Sequence, residues 1–177
     1  MRNGESNPLL FLFFTCSAMG ACASGKAEFV RGEGFRQERS AEEWKSVLTR
    51  EEYKVLRLKG TEARGGEYDG VYPTEGHFVC RACHTPLYSA EAKFKSGCGW
   101  PAFDKCYKGS VKTETDESFG MVRIEIMCAA CDGHLGHVFP GERMTPTNER
   151  HCVNSLSVKY VPAAPDAALD EVKVVEN

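Results

Sequence analysis

The chain has 177 residues, 42% hydrophobic and 27% charged, enough for one well-buried domain with tails and too few for two large ones. Its formal net charge is -3 and no run of Lys or Arg stands out, so an extended phosphate-binding surface has nothing to be built from and no nucleic-acid partner is expected. Nine cysteines, odd in number and clustered, read as metal ligands plus reactive thiols and not as a secreted disulfide framework.

Residues 1–23 form a leader. Arg2 is followed by the apolar run from Pro8 to Phe14 and then by small residues, among which Ala21 and Ala23 make an A-x-A pattern, as in a short signal-peptide core with its cleavage site. A disordered or organelle-targeting leader is the alternative, because Glu5 weakens the positive start and transit peptides can also begin with apolar stretches. The run is too short, and too quickly diluted by Thr15, Ser17 and Gly20, for a membrane-spanning helix, so no stable membrane association is expected once the leader is removed. Cys16 and Cys22 leave the fold with it, and residues 24–39 read as a linker.

A folded domain is expected over residues 40–161. Ser40 with Glu43 and Thr49 with Glu52 each fit the capping box, predicting two short helices in tandem, the second stopped by Gly60. Beyond Gly60 the texture changes to short segments punctuated by Gly and Pro: GHFVC, PLYSAEAKF, MVRIEIMC, GHVF and CVNSLSVKYV, several alternating with period two. The fold class is therefore mainly β behind short N-terminal helices. Residues 162–177, with little to bury, read as a flexible tail.

Two C-x-x-C knuckles, Cys80 with Cys83 and Cys128 with Cys131, together offer four thiolates, the usual ligand set of a structural zinc. Their wide separation in sequence means that one Zn2+ ties two distant hairpins together. A closed shell of four ligands leaves no open position for water, so the metal's expected role is structural. His134 and His137 could replace one knuckle, but four thiolates already complete the shell.

Cys98, Cys106 and Cys152 remain. In RHCVNSLSVKY, strand alternation places Arg150, Cys152, Asn154, Leu156, Val158 and Tyr160 on one face. Arg150 favours the thiolate, the nucleophilic form of cysteine, and Asn154 can donate a hydrogen bond to an oxygen of whatever is attacked. SGCGWPAF presents Cys98 in a glycine-flanked turn two residues before Trp100. GHLGHVF puts His137 and Phe139 on one face of a short strand, a proton donor beside an apolar contact, with His134 on the adjoining turn.

Taken with the two knuckles and the TEARGGEYDGVY segment, the stretches SGCGWPAF, CAACDGHLGHVF and ERHCVNS resemble the methionine-R-sulfoxide reductases of the B type, from about Glu42 to Tyr160. The resemblance implies a core of two antiparallel β-sheets, tent-like, preceded by short helices, with a structural zinc remote from the active site. Residue by residue, it implies that Cys152 is the catalytic cysteine and Cys98 the resolving one. Trp100 and Phe139 would receive the substrate's methyl group, and His134, His137, Arg150 and Asn154 would form the polar side. Oxidised proteins would be the substrate, the R epimer the preferred one, and thioredoxin or a similar dithiol the reductant.

The residues fit that chemistry. A sulfoxide sulfur becomes electrophilic when its oxygen is protonated or hydrogen-bonded, and His137 is the best-placed acid for attack by Cys152. The resulting sulfenic acid would condense with Cys98. A zinc-stabilised binding module explains the knuckles equally well, but not the joint presence of Cys98, Trp100, His137, Arg150, Cys152 and Asn154. The leader directs the chain to the secretory pathway on the signal-peptide reading, and the resemblance leaves plastid, mitochondrion and cytosol as alternatives.

Overall fold

A computed structural model describes residues 37–175. Residues 1–23, expected as a leader, most of the expected linker of residues 24–39, and the cysteines Cys16 and Cys22 lie outside the described residues.

Both expected helices form where their caps place them. Helix α1 spans Ala41–Val47 and α2 Arg50–Leu56. At each start the N-cap hydroxyl, Ser40 or Thr49, accepts from the backbone N–H three residues on, and the glutamate there, Glu43 or Glu52, accepts from the N-cap N–H. Helices of two turns are not stable alone in water, so packing must hold them. Trp44, Val55 and Leu56 are buried, and the guanidinium groups of Arg39 and Arg57 lie 5.0 and 4.9 Å from the Trp44 ring. Helix α2 ends at Leu56, before Gly60; the Gly60 N–H returns to the Lys54 carbonyl at 3.0 Å.

The rest is β structure, with every strand pair antiparallel. A three-stranded sheet runs in the order β10 (Val158–Val161), β1 (His77–Cys80), β2 (Pro86–Ser89). A six-stranded sheet runs in the order β3 (Lys93–Phe94), β4 (Ala102–Phe103), β9 (Glu149–Val153), β8 (His134–Pro140), β7 (Arg123–Cys128), β6 (Val111–Asp116). Aromatic rings join the two sheets: Tyr88 of β2 stacks on Phe103 of β4 at 4.2 Å, and Phe78 of β1 meets the same ring edge-on at 5.0 Å. These three side chains are fully buried, each worth about 1.5–3 kcal/mol in area removed from water.

Two segments that alternation would run as single strands are divided. PLYSAEAKF becomes β2 and β3, because Ala90–Ala92 turn the chain between sheets. CVNSLSVKYV breaks after Val153 into a 3-10 turn, Ser155–Ser157, and then β10, so the face shared by Arg150 and Cys152 does not continue to Tyr160. The turn is where the chain leaves the six-stranded sheet for the three-stranded one. Its N-terminal amides, Ser155 N–H and Leu156 N–H, donate to the Glu62 carboxylate at 2.5 and 2.9 Å, which anchors the loop before β1 over the crossing.

In the segment read as a flexible tail, most of residues 162–170 are exposed, and the stretch from Glu171 to Val175 contacts the domain. Strand β11, Glu171–Val172, pairs with β5, Cys106–Tyr107, in a two-stranded sheet. Val174 and Val175 pack against the core, and their backbone N–H groups donate to Glu149 at 2.9 and 2.7 Å.

Candidate active site

Strand β9 alternates cleanly: Glu149, His151 and Val153 are buried, while Arg150 and Cys152 face the other way. Its neighbour β8 brings His137 directly opposite Cys152 and Phe139 opposite Arg150. This close pairing depends on Gly136, whose φ of +157° lies at the edge of the left-handed region. A Cβ built there would sit 1.9 Å from the Cys152 carbonyl oxygen, so any side chain at this position would push β8 off β9.

On the other side of β9 the chain approaches β4 through SGCGW. Gly99, at φ +91°, turns the backbone so that Cys98 folds back over β9. The Cys98 and Cys152 Sγ atoms lie 3.8 Å apart. Ser96 Oγ donates to Cys98 Sγ at 3.1 Å.

The Cys98 thiol is drawn down to about 5, chiefly by its hydrogen bond with Cys152 and then, against the opposing effect of burial, by Ser96. Cys152 is pushed well up by the same contact and by burial, while Arg150 pulls its thiol down. The Arg150 charge also favours a thiolate at Cys98. Arg150 is itself gripped by the Glu142 carboxylate through two bonds of 2.6 and 2.8 Å, and its guanidinium lies 4.4 Å from the Phe139 ring. Its charge is thus fixed in place beside the sulfurs.

A cavity of about 150 Å³ opens onto Cys152. Trp100 and Phe139 supply apolar walls, and Thr61, Arg123, His137 and Asn154 contribute polar lining. Trp100 is held by its Nε1–H on the Glu62 carbonyl, 3.3 Å away, and by the Arg64 guanidinium 5.2 Å from its ring. Asn154 is committed on two sides: Nδ2–H donates to the Leu135 carbonyl at 2.9 Å and Oδ1 accepts from Glu62 N–H at 3.0 Å. One amide proton remains for the cavity.

Two residues expected on the polar side of the pocket, Arg150 and His134, do not line the cavity; Arg150 lies beside the sulfurs, and His134 lies farther back. His134 is buried, its Nδ1 is 2.6 Å from Glu125 Oε1, and its ring meets His137 edge-on at 5.6 Å. Burial pushes its imidazole down, against the pull of Glu125. Its place is behind His137.

Asp116, Arg123 and Thr61 are among the residues at this site that were not singled out from sequence. Asp116, at the end of β6, accepts at Oδ2 from His137 Nε2 and from Arg123 Nη2, both at 2.7 Å. Arg123 and Thr61 line the cavity. The strand VKTETD that carries Asp116 has no buried residue, so no hydrophobic alternation marks it.

Cys106 is placed elsewhere, in β5 against β11. Its thiol is buried and pushed up to about 12 by that burial. Such a thiol is a poor nucleophile at neutral pH.

Cys80, Cys83, Cys128 and Cys131 come together as the knuckles predict. Their four Sγ atoms lie within 4.8 Å of one another, all four residues buried, with Cys80 to Cys131 at 3.7 Å and Cys83 to Cys128 at 3.6 Å. Four thiolates about 2.3 Å from one tetrahedral zinc stand about 3.8 Å apart, so the spacing fits such an ion without rearrangement. Cys128 and Arg123 are opposite ends of β7, six residues long, which separates the cluster from the cavity wall by roughly 17 Å of strand.

A profile of the SelR domain matches residues 48–162. Peptide methionine sulfoxide reductase B3, chloroplastic, of Oryza sativa subsp. japonica is 54% identical over 134 residues, covering 75% of this chain and 57% of that protein. Peptide methionine sulfoxide reductase B5 of the same organism is 52% identical over 135 residues, 75% of this chain and 97% of the relative. Peptide methionine sulfoxide reductase B2, chloroplastic, of Arabidopsis thaliana is 54% identical over 126 residues, 70% of this chain and 61% of the relative.

Proposed function

The chain belongs to the SelR-domain family, the B-type peptide methionine sulfoxide reductases, and we propose that it reduces the R epimer of methionine sulfoxide in proteins by attack of Cys152, with Cys98 as the resolving thiol. The observation that carries this reading is the 3.8 Å contact between Cys98 and Cys152 at a cavity walled by Trp100, Phe139 and His137.

The nucleophile is the Cys152 thiolate, which the charge of Arg150 favours over the thiol. The sulfoxide's methyl group packs between Trp100 and Phe139, and His137 gives a proton to its oxygen. The Cys152 thiolate attacks sulfur; the new S–S bond and the substrate's S–O bond then break as the protonated oxygen passes to Cys152, leaving it a sulfenic acid and releasing methionine. The Cys98 thiol attacks Cys152 sulfur, forming the disulfide and releasing water. An external dithiol, thioredoxin or one like it, returns both cysteines to the reduced state. One methionine is formed for each two thiols consumed.

The four-cysteine cluster we assign to a structural zinc, for which its spacing and fully buried thiolate shell are suited. Bound there, the ion would tie the turn after β1 to the turn after β7 and so fix the far end of the strand that carries Arg123. The chloroplastic names of two relatives support a plastid as the compartment, and a fusion of residues 1–40 to a fluorescent protein tests that against secretion.

Incubation of the domain with a peptide carrying separated R and S epimers of methionine sulfoxide, with dithiothreitol, tests the reaction. Methionine formed from the R epimer alone supports it. Peptide bound but unchanged would instead support a binding module.

A further inference from the structure

The acid in this mechanism is a histidine with two ring nitrogens, and which one holds the mobile proton decides whether it can act. His137 Nε2 lies 2.7 Å from Asp116 Oδ2, and Nδ1 has no hydrogen-bond partner among the described residues. A carboxylate accepts and does not donate, so the proton on Nε2 is the one held at Asp116. The proton free to leave is then the one on Nδ1.

The sheet holds Asp116 where this requires. In the β6–β7–β8–β9 register, Glu114, Glu125, His137 and Cys152 lie side by side in one row. Asp116 and Arg123, two residues along their strands and opposite each other, occupy the next row of the same face. The Asp116 side chain is fixed from three directions: Ser118 N–H donates to Oδ1 at 3.0 Å, and Arg123 Nη2 and His137 Nε2 share Oδ2. Arg123 Nη2 also reaches Ser118 Oγ at 3.2 Å. On the far side, His134, locked by Glu125, holds the His137 ring edge-on. The carboxylate therefore cannot swing away without leaving a guanidinium and an imidazole unpaired.

We propose that Asp116, clamped by Arg123, is a positioning residue for this reaction: it fixes His137 with Nε2–H turned to the carboxylate and Nδ1 left for the sulfoxide oxygen. The proposal rests on the reductase reading above. When His137 donates the Nδ1 proton, the neutral imidazole left behind is the Nε2–H tautomer, already hydrogen-bonded to Asp116, so no rearrangement accompanies the transfer.

The test combines ¹⁵N NMR of the His137 ring with single-turnover kinetics in the full domain. In the parent, neutral His137 should be the Nε2–H tautomer. Asp116→Asn can present an amide N–H to Nε2 and should raise the Nδ1–H tautomer. Methionine release in one turnover should slow by about tenfold to a hundredfold, with KM for the peptide changed less than about twofold. Asp116→Glu should restore part of the rate. A parent in which neutral His137 is chiefly the Nδ1–H tautomer overturns the proposal, as does an Asp116→Asn variant whose tautomer or single-turnover rate is unaltered. Should that variant not fold, the parent spectrum decides alone. A parent that forms no methionine sinks the reductase reading, while its spectrum still decides the role of Asp116.

Discussion

Cys98 Sγ stands 3.8 Å from Cys152 Sγ, near van der Waals contact for two sulfurs and well beyond the roughly 2.05 Å of a disulfide. The pair needs only a small inward shift to close. Replacing Cys98 by Ser should therefore separate the two halves of the reaction. One equivalent of methionine is still released and Cys152 then accumulates as sulfenic acid, trapped by a dimedone-type reagent and read by mass. Steady-state turnover supported by thioredoxin should fall at least about tenfold, and a small thiol able to reach Cys152 should recover part of it. A disulfide between Cys106 and Cys152 in the singly turned-over parent would reassign the resolving role, against the burial of Cys106.

Cys152→Ser should abolish methionine formation with fold and bound metal unchanged, because an alcohol is a far weaker nucleophile than a thiolate at neutral pH. The same substitution removes the chief hydrogen bond that draws the Cys98 thiol down to about 5. The Cys98 ionisation, followed by thiolate absorbance at 240 nm, should move up toward the ordinary cysteine value. A Cys98 thiol still ionising near 5 in the variant would show that Ser96 and Arg150 set it without Cys152.

Removing one ligand of the four-cysteine cluster, as in Cys80→Ser or Cys128→Ser, should release the metal and unfold the domain. Binding at such sites contributes roughly 10 kcal/mol or more to folding, comparable with the whole stability of a domain this size. Metal analysis and thermal melting check it together. A full equivalent of zinc with an unchanged melting profile would refute the assignment.

What the sequence made legible was local. Capping boxes, knuckles and the alternation of ERHCV are each specified within a few residues, and the structure forms each of them. What stayed hidden depended on contacts between residues far apart in the chain. Asp116 meets His137 because β6 and β8 flank the same strand, and an exposed polar strand carries no hydrophobic signal of its own. The break of CVNSLSVKYV is imposed by Glu62, more than ninety residues upstream of the amides it receives. His134 reads like His137 in GHLGHVF, yet burial against Glu125 withdraws it from the cavity.

The C-terminal segment is the clearest case, because polar contacts pin it more than apolar burial does. Glu149 is buried on the face of β9 opposite Cys152, where its carboxylate accepts from the backbone N–H groups of Val174 and Val175 and lies 2.9 Å from His151 Nε2; His151 Nδ1 in turn lies 3.3 Å from the Tyr88 hydroxyl. Burial alone pushes the Glu149 carboxyl up, but His151 and the two amides outweigh it and hold the group below its ordinary 4.5. A carboxyl lowered by folding stabilises the fold above its unfolded pKa, and that contribution is lost as pH falls through the folded value. Stability should therefore decline on acidification below about 4.5, and Glu149→Gln should flatten that part of the profile. Truncation after Asp170 strips the two amide donors and β11 together, and should cost about 2 kcal/mol or more, since hydrogen bonds to a buried charge are worth more than neutral ones. Urea melts of both variants between pH 3 and 7 measure these effects. A truncated chain as stable as the parent would mean that Glu149 finds other donors and that the tail is bound without holding anything in place.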